Sequence, residues 1–403
     1  MVMQARTRAR AVTLTGATGR QTEVRMGFST LGADAGRSGI GRYVIQLLDE
    51  MSRPQDPGVR LDLIVARGEE SAFPSSGAHR HLAPRFTRNP LGSLAWHQVG
   101  LPKLCASADL DVLFLPAANR SGVLWSPVPT VGTVHDFSSL HVRGKYDRAR
   151  DLYITRVLPA LVRRLDHVIT PSLASKQDIV EYAGVDPARV TVIPNGVDHT
   201  VYSEGDGQEA RRRVRTAVGL DGPYLLYVSR LEHPGKNHVR LIRAFSQLTK
   251  TRRIPHTLVL AGPDWTRADE IHRAAAASGL GDRIRFLGFV PQGLLPDLNR
   301  AADMVVFPSL YEGFGIPVLE AMASGVPVVA SGTSSIPEVG GDAAIYFDPM
   351  NEESMAEAIW TVVDDAGLRR QMVRSGLERS RSFSWARTAR ETLEVILNQA
   401  RSR

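Results

Sequence analysis

From Val24 onward, short runs rich in Val, Ile and Leu alternate with longer stretches in which apolar residues return every three or four positions. The short runs fit buried strands, and the longer spacing fits helices with one inward face. The alternation predicts strands at 24–30, 61–66, 111–115, 130–134, 167–170 and 190–193, with helices at 40–52, 147–165 and 173–183. A second series predicts strands at 224–229, 257–261, 284–287, 303–307 and 326–330, and helices at 237–250, 267–278, 317–324, 352–364 and 386–400. Strands joined through helices run parallel, so the expected class is α/β with two doubly wound parallel sheets. Facing one another, such sheets gather the carboxyl ends of their strands around one cleft, where ligands bind.

Between the two series, Pro194-Asn-Gly-Val-Asp198 and the polar stretch Ser203-Glu-Gly-Asp-Gly-Gln208 read as a turn and an exposed linker. The expected division is a tail at 1–23, a first domain at 24–200 and a second at 220–384. A length of 403 residues agrees, given about 150 per domain. The tail holds Arg6, Arg8, Arg10 and Arg20 against Glu23 and has no apolar stretch. It is not a secretory signal, and it fits a flexible tail or an upstream start better than a transit peptide.

Hydrophobic residues at 43% and charged residues at 23% exclude a disordered or fibrous chain. The lone Cys105 permits no intrachain disulfide and no multi-cysteine metal site, so a reducing cytoplasm is expected. No apolar run reaches the length of a membrane span, which leaves only peripheral membrane contact. The net charge of +7 favours anionic partners: phosphates, nucleic acid or acidic lipid. Nucleic acid is disfavoured because the 6% of aromatic residues are not interleaved with the cations. Arg211-Arg-Arg-Val-Arg215 lies at helical spacing beside Glu209 and reads as a solvated helix face.

The strongest chemical signal is Pro308-Ser-Leu-Tyr-Glu-Gly-Phe-Gly-Ile-Pro-Val-Leu-Glu320. A strand ends in a glycine-bearing turn, and Pro317 suits the first turn of the helix that follows. The free N–H groups of Phe314, Gly315 and Ile316 then form an anion site flanked by the carboxylates of Glu312 and Glu320. This arrangement suits a nucleotide sugar, with one acid for the sugar hydroxyls, one for the ribose and the diphosphate between. A second strand leads into a turn holding Arg230 and Lys236, two cations able to neutralise a diphosphate leaving group in place of a divalent metal. The expectation of no metal also rests on reading no Asp-x-Asp triplet anywhere in the chain, and His233 lacks partner ligands. In the first half, Gly39 and Gly41 open a helix after the first strand and allow close approach to a phosphate, while His135-Asp136 ends another strand at the ligand-facing edge.

In this order the pieces resemble the retaining glycosyltransferases of family 4, whose GT-B fold pairs two facing Rossmann-like domains. The resemblance rests on the Glu-x7-Glu pair Glu312/Glu320, Ser229-Arg-Leu with Lys236-Asn, His135-Asp, and Ile193-Pro-Asn-Gly-Val-Asp198. It implies that Arg230 and Lys236 bind the donor diphosphate, Glu320 the ribose, and Glu312 and His135 the transferred sugar. It places the base near Gly288-Phe-Val290, with Val290 among the donor contacts. Ser38 stands where family members commonly have the first glycine of a pair. Phe383-Ser-Trp385 and the helix behind it, 385–403, resemble the terminal helix that crosses back onto the first domain. The resemblance further implies front-face substitution with retention, in which the departing phosphate accepts the proton of the incoming hydroxyl.

GDP-mannose is the favoured donor, because Gly-Ile-Gly-Arg-Tyr and Val-His-Asp resemble stretches of bacterial polysaccharide mannosyltransferases; UDP-glucose and UDP-N-acetylglucosamine are the alternatives. The expected acceptor is a saccharide or lipid-linked saccharide at the inner membrane face, supported by Arg143, Lys145, Arg148, Arg150 and Arg156. A GT-B nucleotide-sugar epimerase is the rival reading on the same fold.

Overall fold

The computed structural model describes residues 23–53, 58–73, 75, 77–142 and 152–402. The first sheet comprises β1 (Val24–Ser29), β2 (Val59–Ala66), β3 (His79–Ala83), β4 (Val112–Leu115), β5 (Thr130–Thr133), β6 (His167–Thr170) and β7 (Val190–Val192), in the order β3-β2-β1-β4-β5-β6-β7. The second comprises β8 (Tyr224–Val228), β9 (Thr257–Ala261), β10 (Ile284–Gly288), β11 (Met304–Phe307), β12 (Val328–Ser331) and β13 (Ala344–Phe347), in the order β10-β9-β8-β11-β12-β13. All their pairings are parallel. Strand order reverses at β1/β4 and at β8/β11, the switch points where doubly wound sheets open a crevice.

Beyond the sequence expectation lie, among others, two strands and two long helices. Strand β3, His-Arg-His-Leu-Ala, has no β-branched residue, and β13, Ala-Ile-Tyr-Phe, is only partly buried except at Phe347. The Pro90–Ser107 helix carries Gly92, Gly100 and Pro102, which break the helical pattern; Gly100 is needed because a Cβ there would lie 2.2 Å from the Trp96 indole nitrogen. The Ala366–Ser380 helix is largely polar and began unannounced, although Asp365 caps it by accepting from Gly367 and Leu368. The polar linker is shorter than expected, because Asp206 caps a helix over Gly207–Val218. On that helix Arg212 and Arg213 pair with Glu209, and Arg211 with Asp303. Of the region expected as helix 147–165, residues 147–151 lie outside the described residues, as do Arg143, Lys145, Arg148 and Arg150; a widened turn Tyr153–Val157 runs into the Leu158–Arg164 helix.

The chain crosses between the sheets twice, side by side. Val197 pairs with Ser384, Thr388 Oγ1 donates to the Pro194 carbonyl at 2.7 Å, and a Cβ on Gly196 would lie 2.2 Å from Trp385 N. Beyond the crossing, the Trp385–Arg401 helix buries Trp385, Ala389 and Ile396 in the first domain's core with Tyr43, Val44 and Leu47. Among the described residues, no helix is long and apolar enough to cross a membrane.

Candidate functional site

The loop after β11 is held from beneath by the residues after β12. Ser331 and Thr333 donate to the carbonyls of Ser309 and Leu310, and Ser335 donates to those of both Glu312 and Phe314. The Glu312 N–H in turn donates to Ser334 Oγ at 3.0 Å. Gly315 caps the Ile316–Ala323 helix with φ of +108°, a conformation that favours glycine. The N–H groups of Phe314, Gly315 and Ile316 have no acceptor among the described residues, so this helix start presents unsatisfied donors. The Ser331-Gly-Thr-Ser-Ser335 run had no role in the sequence reading; its signal was a cluster of hydroxyls directly after a strand.

The loop after β8 is tied to the same platform. Asn237, with positive φ, donates to the Pro308 and Pro349 carbonyls at 3.0 and 2.7 Å, and Leu310 N donates to the Gly235 carbonyl. Tyr227 OH donates to the Lys236 carbonyl at 2.8 Å. So supported, Lys236 Nζ lies 2.6 Å from Glu312 Oε1, with both side chains mostly buried. Arg230 instead pairs with Glu232 at 3.1 Å and lies over the Trp265 ring, with 41% of its side chain exposed.

On the first domain, His135 is buried, with its Nε2 at 2.9 Å from the Pro116 carbonyl and its ring edge-on to Tyr43. Burial holds its pKa down to about 4, against the Pro116 carbonyl, which favours the proton. The imidazole is therefore neutral near pH 7, and the carbonyl requires the proton on Nε2, leaving Nδ1 as the acceptor. Gly39 has open space where a Cβ would sit. A Cβ on Gly41 would meet the Ala33 carbonyl at 2.4 Å and Gly36 Cα at 2.7 Å, so this glycine packs its own loop.

Arg42, one residue on, reaches across the cleft to Glu320, with Nη2 2.6 Å from Oε1. Glu320 is buried, which raises its carboxyl pKa, and the Arg42 charge works against that rise. Tyr202 stands beside the pair, its hydroxyl buried next to both Arg42 and Glu320. Sequence reasoning missed Arg42 because its partner lies 278 positions away.

Further contacts draw the domains together. A Cβ on Gly313 would lie 2.2 Å from the His135 carbonyl oxygen, and Ser175 Oγ donates to that same carbonyl at 3.0 Å. Asp178 accepts from His141 Nε2 and from Tyr311 OH, and the His141 and Tyr311 rings stack at 4.1 Å. Glu338 accepts from the N–H groups of Leu173 and Ala174 at 2.7 and 2.8 Å, capping a first-domain helix from the second domain. Lys236, Glu312 and the three free N–H groups thus share the β8/β11 switch point, and Gly313 packs the His135 backbone, after β5, against them, while Arg230 is held by Glu232.

Two families divide the chain between them: Glycosyltransferase Family 4 matches residues 37–201, and Glycosyl transferases group 1 matches residues 209–379. The O-antigen chain mannosyltransferase B of Escherichia coli is 31% identical over 267 residues, which cover 66% of this chain and 69% of that protein. The chain is a family 4 glycosyltransferase. A D-inositol 3-phosphate glycosyltransferase of Corynebacterium glutamicum is 32% identical over 247 residues, covering 60% of this chain and 59% of its own length. Among solved structures, Anabaena HepE in complex with UDP and glucose superposes with a TM-score of 0.73 at 22% identity, over 93% of this chain and all of that one. Sucrose-phosphate synthase of Thermosynechococcus elongatus gives 0.76 at 20% identity, over 94% of this chain and all of that one. The two parallel sheets and these superpositions make the fold GT-B.

Other positions in this glycosyltransferase are less direct. Val290 is buried in the second domain's core, so any contact it makes with a base is through its backbone; Phe289 beside it is exposed. The transferase does contain one Asp-x-Asp triplet, Asp109-Leu-Asp111, which the sequence expectation overlooked. It precedes β4, at the opposite end of that strand from the cleft, and Asp111 Oδ2 is committed to Arg25 N at 2.7 Å. A cavity of about 330 Å³ lies beside the chain crossing, lined by Gln46, Asp49, Arg53, Asp198 and Trp385, away from Lys236 and Glu312.

Proposed function

We propose that this glycosyltransferase moves a hexose, with retention, from a nucleotide sugar to a saccharide or lipid-linked saccharide acceptor, and that no metal serves the leaving diphosphate. The observation that carries this reading is the Lys236–Glu312 pair beside the free N–H groups of 314–316 and across from His135. Lys236 and the amides meet the charge that grows on the departing phosphate, and that phosphate takes the acceptor's proton. Glu312 and neutral His135 orient the sugar. No carboxylate is identified for a covalent intermediate, so front-face substitution is the proposed course. Arg230 reaches the diphosphate only by leaving Glu232 and Trp265.

GDP-mannose is the proposed donor, supported by similarity to an O-antigen mannosyltransferase. A UDP-sugar is the second reading, favoured by the likeness to HepE, whose structure holds UDP and glucose. Work at the cytoplasmic membrane face, by peripheral contact with anionic lipid, is supported by the net charge of +7. A panel of nucleotide sugars, incubated with acceptor in excess EDTA at 25 °C, tests the proposal. Nucleoside diphosphate should appear from GDP-mannose at the rate seen without chelator. Release restored only by manganese would overturn the metal-independent step, and isomerised donor without acceptor glycosylation would establish an epimerase.

The two acids should separate by ligand. Glu320→Ala is expected to weaken the nucleoside diphosphate itself, because the proposed ribose partner and the Arg42 tie are lost together. Glu312→Ala is expected to weaken only the intact nucleotide sugar. Calorimetric titration of both variants with both ligands checks this, and equal losses throughout would contradict the assignment.

A further inference from the structure

Strand β3 forms the edge of the first sheet, and its register sets His79 opposite Asp62 of β2. His81 follows two residues later, so both imidazoles stand on the face that carries Asp62. Asp62 Oδ1 lies 2.7 Å from His81 Nε2 and 3.2 Å from His79 Nδ1, and the two ring nitrogens are 3.2 Å apart. As a set of hydrogen bonds this triangle is poor, since both nitrogens and Arg25 Nη2, at 3.5 Å, converge on one oxygen. Its second oxygen is buried and accepts no hydrogen bond, with Arg60 Nε the nearest cation at 3.7 Å. As one face of a coordination tetrahedron the triangle is well made, because ligand atoms about 2.0 Å from an ion stand about 3.3 Å from each other.

We propose that Asp62, His79 and His81 form a site for a first-row divalent cation, with zinc the natural fit to two imidazoles and one carboxylate. The fourth position belongs to water, since His79 is half exposed. Arg25 and Arg60 repel a dication and make the site weaker than a closed four-ligand one; Arg60, its side chain 44% exposed, has room to turn toward solvent. The ion has no part in glycosyl transfer. The site sits at the first residue of β3 and midway along β2, behind the carboxyl ends that face Lys236 and Glu312. Its effect is to fasten an edge strand whose only partner among the described residues of the sheet is β2.

The test uses the untagged full chain, stripped of metal by dialysis against EDTA and then titrated with zinc chloride. One zinc per chain is expected by calorimetry and by elemental mass spectrometry after gel filtration, with the melting temperature raised by several degrees. His79→Ala should fold normally by circular dichroism, abolish that binding and the thermal shift, and leave glycosyl transfer at 25 °C unchanged. His272→Ala, which removes another His–Asp contact, should keep both. Absence of stoichiometric zinc in the wild-type chain, or full binding and thermal shift in His79→Ala, would overturn the site. Because transfer is read separately, failure here leaves the proposed reaction standing, and failure of the reaction leaves this site standing.

Discussion

Replacing Lys236 with alanine is expected to lower kcat by on the order of a hundredfold or more, equivalent to about 3 kcal/mol of lost leaving-group stabilisation. The ammonium is held at 2.6 Å from Glu312, and the backbone behind it is fixed by the Tyr227 hydroxyl and by Lys236 N donating to the Glu232 carbonyl. A charge fixed before the reaction begins needs no reorganisation when the phosphate departs, which is why its removal should be felt in kcat. The variant also leaves Glu312 without this cation, so the melting temperature must be measured beside the rate. A lowered melting point with near-normal turnover would make the lysine a structural counter-ion. A large loss of kcat in a stably folded variant supports the leaving-group role.

Gly313→Ala is expected to cost on the order of a hundredfold in kcat/KM while leaving each domain folded, because a misfit of about 1 Å in assembling a site is enough for such a loss. The added Cβ would fall 2.2 Å from the His135 carbonyl and 2.9 Å from Asp136 Cβ, and both belong to the opposite domain. Gly313 has no left-handed backbone, so alanine brings no local strain. The clash therefore falls on the approach of the domains, which brings His135 toward Lys236 and Glu312. Small-angle scattering should show the variant more extended than the parent chain with donor bound. Unchanged dimensions and activity would mean that the cleft accommodates the methyl group and that close approach is not needed for transfer.

The sequence made the parallel sheets legible because their buried strands, such as Leu-Leu-Tyr-Val in β8 and Met-Val-Val-Phe in β11, are apolar on both faces. Two of the edge strands, β3 and β13, escaped: β3 is mostly polar, and its histidines gain meaning only when β2 places Asp62 beside them. Glu312, Glu320 and Lys236 could be singled out because local turn chemistry marks them. Their partners could not, since Arg42, Ser175 and Glu338 act across the cleft on residues 138 or more positions distant. Gly41 shows the opposite failing: a glycine next to a helix start reads as a phosphate loop, but only coordinates reveal that its missing side chain makes room for Ala33 and Gly36.

The two crossings packed against each other at Val197 and Ser384 behave as a door pin. Any swing of one domain against the other pivots on that line, and each atom travels in proportion to its lever arm. Arg42 and Glu320 line the same narrow gap as Gly196 and Trp385, so they sit beside the pin and separate little at a given swing.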